Sequence, residues 1–111
     1  MAHVATHHHH DQSLAAAACA SVALDIGEGR GALVLYPSER YRGREIEISR
    51  ADGDGRRVHT GVHERRTDAR SMLTAIFGSL PAGEYRVWED AQTPGPVVTV
   101  RERSVAEVAL R

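Results

Sequence analysis

Apolar residues along this chain come in short runs, alternating or continuous, with turn residues about every ten positions. From residue 20 onward the runs are bounded by Gly, Pro and Asp clusters, and no segment keeps a 3.6-residue period over three turns. This spacing predicts an all-β domain, a two-sheet antiparallel sandwich of seven to eight strands. A first strand is expected over 21–26, with Val22, Leu24 and Ile26 on one face, followed by a glycine-supplied turn at 27–31. Residues 32–36 (ALVLY) are continuously apolar, which predicts a central strand buried on both faces and ended by Pro37. Residues 38–44 read as a polar loop.

Strict alternation over 45–49 (EIEIS) turns Ile46 and Ile48 inward and Glu45 and Glu47 outward. The Asp/Gly stretch 51–55 is a hairpin signal. Alternation resumes over 58–66 as one strand, with Val58, Thr60 and Val62 on one face and His59, Gly61, His63 and Arg65 on the other. Further strands are expected over 72–77, 84–89, 97–101 and 105–110, with a loop at 78–83. Tyr85 and Val87 then face the core. Trp88 points outward beside Arg86, and this pair is a candidate anchor for an interface.

The stretch 75–87 (AIFGSLPAGEYRV) resembles prealbumin-like (transthyretin-like) sandwiches, including collagen-adhesin B-type repeats and carboxypeptidase regulatory-like domains. In that pattern an aromatic and a small-residue turn precede Leu-Pro-x-Gly, a Tyr and a β-branched residue. The resemblance implies that Leu80 plugs one end of the core, Pro81 fixes the loop, and Tyr85 packs inside. It covers residues 75–111 well and the first half by topology only, and it implies a fold rather than an activity. Residues 22–49 also look like small actinobacterial proteins with His-rich N-termini, a group that contributes no catalytic residues. Hydroxyisourate hydrolases are similar in fold but end in Tyr-Arg-Gly-Ser, whereas this chain ends Val108-Ala109-Leu110-Arg111. Adhesin-type isopeptide chemistry needs Lys and Asn, and the sequence contains neither.

Composition changes the picture at the N-terminus. Residues 1–19 read as a flexible His/Ala-rich arm holding His3, His7, His8, His9 and His10, and residues 20–111 as the sandwich. Imidazoles at this density bind Zn, Ni or Cu without needing a fold, so these five are the candidate metal ligands, against the alternative of an inert tail. His59 and His63, four residues apart on a strand, would be about 13 Å apart, too far to share one ion. They read as surface histidines. Glu45, Glu47 and Glu64 read as solvated faces rather than as an acid–base pair.

All 14 basic residues are Arg, and the net charge is −1 with His neutral, which gives no field for nucleic acid or an anionic membrane. The single cysteine, Cys19, precludes an intrachain disulfide. No apolar run approaches the roughly 20 residues of a membrane span, and the Ala-rich segment lacks the basic flank of a signal peptide. The expectation is a cytoplasmic, non-enzymatic sandwich that binds a divalent metal through its arm. The alternative is an interaction module or homodimer with no metal role.

Overall fold

In the computed structural model residues 26–111 are described. The arm 1–19 with its five histidines, and the strand expected over 21–26 save Ile26, lie outside the described residues. Among the described residues the chain forms eight strands: β1 Arg30–Pro37, β2 Glu45–Arg50, β3 Arg57–Gly61, β4 His63–Arg66, β5 Ser71–Pro81, β6 Gly83–Trp88, β7 Pro94–Val100 and β8 Val105–Leu110. They build two four-stranded sheets, ordered β4-β5-β1-β8 and β3-β2-β6-β7. This is the two-sheet all-β sandwich that the hydrophobic pattern implies.

The core forms where the inward side chains of both sheets meet. Leu33, Leu35, Ala75, Phe77, Leu80 and Leu110 come from the first sheet, and Ile46, Ile48, Tyr85, Val87, Val98 and Val100 from the second. β1 lies between β5 and β8, and the expected burial on both faces holds: Ala32, Leu33, Val34 and Leu35 are all buried. The inward placement of Ile46, Ile48, Tyr85 and Val87 likewise agrees with the alternation.

Four departures from the sequence reading have physical causes. First, the run over 58–66 is two strands. Val62 ends pairing in the second sheet, its N–H donating to the Arg44 carbonyl, and the chain enters the first sheet at His63. Side-chain alternation continues across such a switch, so the pattern does not register it. Second, the stretch at 78–83 is not a loop. β5 runs on to Pro81 through a bulge opposite Gly31 and Leu33, and only Ala82 separates it from β6. Third, β8 pairs with β1 in parallel. The turn after β7 delivers β8 to the opposite sheet at the end where β1 begins, with the Arg103 N–H bonded to the Arg30 carbonyl. Fourth, the polar loop after β1 holds a single 3₁₀ turn, Glu39–Tyr41, whose Tyr41 is wholly buried.

Candidate functional site

Among the described residues the sandwich is open along one side. β5 is 11 residues long, but β4 pairs only with Ser71–Thr74 of it. On its other edge β5 is held by β1, as far as Pro81. From residue 75 to residue 80, the edge of β5 away from β1 therefore carries no strand partner among the described residues. Six residues of strand are about 20 Å of backbone donors and acceptors.

Two grooves border this edge. At the residue-80 end, a groove of about 390 Å³ is lined by Ile48 and Arg50 of β2, Val58 of β3, Leu80 and Pro81 of β5, and Tyr85 of β6, with Asp54 and Arg56 at its rim. Val58 lies on the inward side of β3 yet is 43% exposed, because among the described residues no strand of the opposing sheet lies beyond β5 at this level. At the other end, a groove of about 350 Å³ is lined by Thr60, His63, Glu64, Arg65, Thr74 and Ile76.

The polar groups at these grooves are organised. The Tyr85 hydroxyl donates to the Pro81 carbonyl at 2.6 Å. The Arg50 guanidinium lies 5.3 Å from the Tyr85 ring centroid, and its Nη1 donates to the Ala82 carbonyl at 3.3 Å. Among the described residues neither Arg50 nor Arg56 has a carboxylate partner. Asp54 is turned to its own loop, accepting from the Arg56 N–H at 2.9 Å. The residue-80 end thus combines an apolar floor with two cations that lack anions. At the opposite end, the hydroxyl of Ser71 and then the guanidinium groups of Arg66 and Arg42 hold the Glu64 carboxyl below its ordinary value.

Trp88 points outward as the alternation implies, on the far face of the second sheet, but it is engaged within the fold. Its Nε1 donates to Ser49 Oγ at 3.0 Å, and Arg57 stacks 3.7 Å from its ring centroid while pairing with Glu47 at 2.8 Å. Arg86 donates to the Gly95 carbonyl. His59 and His63 do not share a face. His59 is paired opposite Glu47 in the second sheet, and His63 opposite Thr74 in the first. Among the described residues no group of three His, Cys, Asp or Glu side chains is placed to hold a metal ion. His3, His7, His8, His9 and His10 lie outside the described residues. Among the described residues no helix is long and apolar enough to cross a membrane.

Sequence reasoning missed the open edge. A mismatch of strand lengths, four residues in β4 against eleven in β5, is its only signal, and that appears only once the strands are paired.

No family model and no curated protein matches the sequence. Among solved structures, the chain is similar to a leucine-rich repeat protein from Bacteroides thetaiotaomicron, at 17% identity over 74% of this chain and with a TM-score of 0.47. The match spans 12% of that protein's length.

Proposed function

We propose that this protein is a non-enzymatic binding module that takes up an extended peptide segment along the open edge of β5. One observation carries the reading: an 11-residue strand is covered by only four residues of its neighbour and borders an apolar groove. An extended segment completes the ladder through main-chain hydrogen bonds, and its side chains supply specificity in the groove. Val58, Ile48 and Leu80 suit an aliphatic or aromatic residue. Arg50 and Arg56 suit a carboxylate, so the fitting ligand is an acidic–apolar peptide. In this reading the protein acts in the cytoplasm, and the prealbumin-like character of residues 75–87 lies in the Leu80–Pro81 corner that forms the groove floor.

The test is fluorescence anisotropy with short peptides in which Asp or Glu alternates with Leu, Val or Phe, together with sedimentation of the free protein. Val58→Asp and Arg56→Glu, both at exposed positions, should each weaken binding at least about tenfold while leaving the melting temperature within a degree or two. Binding indifferent to both substitutions sinks the reading. A concentration-dependent dimer abolished by Val58→Asp would make a second copy of the chain the occupant. The competing reading, capture of Zn, Ni or Cu by His3 and His7–His10, rests on sequence alone. Stoichiometric metal uptake lost on deletion of residues 1–11 would favour it.

A further inference from the structure

The connection between β2 and β3 carries the two Asp-Gly linkages of the chain, Asp52–Gly53 and Asp54–Gly55. Asp before Gly is the pair in which a side-chain carboxyl and the next backbone nitrogen most readily close a ring. Glycine has no Cβ to hinder the approach or the backbone rotation it needs. All four residues are exposed, but the fold holds the two linkages differently. The Gly53 N–H donates to the Arg50 carbonyl at 3.3 Å. Gly53 also lies against the Arg50 side chain, where an added Cβ would come within 2.7 Å of Arg50 Cβ. That nitrogen is engaged and its peptide is fixed in the turn. The Gly55 N–H has no hydrogen-bond partner among the described residues. Its φ is +85°, and a Cβ built there would meet nothing within 4 Å. The Arg56 N–H, at 2.9 Å from Oδ1, holds the Asp54 carboxyl toward its own loop. The other described aspartates, Asp68 and Asp90, each precede an alanine, and the Asp90 carboxyl is further tied by Gln92 and Thr93.

We propose that the Asp54–Gly55 linkage is a site of spontaneous isomerisation to isoaspartate. The Gly55 nitrogen attacks Cγ of the Asp54 carboxylic acid. The N–Cγ bond forms as a Cγ–O bond breaks, and the departing hydroxyl leaves with the amide proton as water. The product is a five-membered imide. Water then opens it at either carbonyl. Addition at Cγ restores Asp54, whereas addition at the former backbone carbonyl leaves Gly55 joined through Cγ. No oxidant, reductant or cofactor takes part. The isomerised main chain is longer by one atom and carries its carboxylate directly on Cα, which displaces the group that now accepts from the Arg56 N–H. Asp54 and Arg56 border the larger groove, so the change acts on the surface that an incoming peptide would meet. The chemistry itself does not rest on peptide binding.

The test is to age the full-length protein in warm, neutral buffer made with heavy-oxygen water. Peptide mapping with electron-transfer fragmentation then separates isoaspartate from aspartate at each position. The expected result is isoaspartate and heavy oxygen at Asp54, in several-fold excess over Asp52. Asp54→Glu, which would require a less favoured six-membered ring, should abolish the signal there, while Asp52→Glu should leave it unchanged. Both positions are exposed, and an unchanged melting temperature confirms that each variant is folded. The same protein held unfolded in urea should isomerise at both linkages alike, because the turn that engages the Gly53 nitrogen is then lost. Equal or greater isomerisation at Asp52 in the folded protein overturns the inference. So does a folded protein that stays unchanged at Asp54 over the time in which the unfolded chain isomerises.

Discussion

Individual residues fix this fold where backbone segments crowd or where a polar stretch must hide an aromatic ring. Gly31 lies where β1 passes the β7–β8 turn. A Cβ there would sit 2.2 Å from the Arg101 carbonyl oxygen and 2.8 Å from a Val100 methyl. Neither can retreat, because one is backbone and the other is core, so Gly31→Ala should cost about 2–4 kcal/mol in urea unfolding. Tyr41 is the opposite case, a large ring inside a run of charged residues. Arg40 and Arg44 lie 4.4 and 4.9 Å from its ring centroid, and Arg40 Nη2 donates to its hydroxyl at 2.7 Å. Tyr41→Ala should cost about 3–5 kcal/mol, whereas Tyr41→Phe, which keeps the ring, should cost about 1 kcal/mol. Equal losses for the two would mean that the hydroxyl, not ring burial, holds the loop.

At the scale of elements, the described chain changes sheet after each of its hairpins, β2–β3, β4–β5 and β6–β7, and this decides what could be read in the sequence. Runs with one clear period were legible. Ile46 and Ile48, the ALVLY strand, and the inward Tyr85 and Val87 all lie where alternation puts them. The Asp/Gly hairpin between β2 and β3 is also where the turn residues indicate. The change of sheet at Val62 was not legible, since strand period survives when the chain crosses from one sheet to the other. Tyr41 was hidden by the arginines that flank it. The open edge of β5 was hidden because it depends on pairing rather than on composition. Val58 and Val62 look equivalent by alternation, yet Val62 packs against the main core while Val58 is exposed. Val62→Ala should therefore cost about 1–2 kcal/mol, and Val58→Ala under about 0.5 kcal/mol. Parallel denaturation of the two variants measures the difference, and similar losses would contradict the sheet switch.

For the whole molecule, the balance of ionic and buried groups sets a window of pH stability. Among the described residues three carboxyls have folded pKa values below their ordinary ones: Glu39, through its hydrogen bonds from Arg42; Glu64, through Ser71 and two arginines; and Asp90, through the N–H of Gln92 and the hydroxyl and N–H of Thr93. A lowered folded pKa means that the native state binds fewer protons than the unfolded chain. Their stabilisation is thus complete above the ordinary values of 4.5 and 3.8, and it is lost as pH falls through the folded values. Tyr41 has the reverse sign. Burial pushes its phenol above the ordinary 10.0, so its contribution is complete below that value and is lost as pH rises past it. The urea midpoint should be flat across neutral pH and fall at both ends. Salt separates the acid-side causes. Glu39 is an exposed ion pair with Arg42 and should lose its effect at about 1 M NaCl, where screening acts over about 3 Å. The Asp90 carboxylate is held mainly by backbone N–H groups within its own turn, and its share of the acid limb should persist in salt and disappear in Asp90→Asn. An acid limb abolished entirely by salt would show that the turn at Asp90 contributes nothing, and that arginine pairing alone governs the low-pH limit.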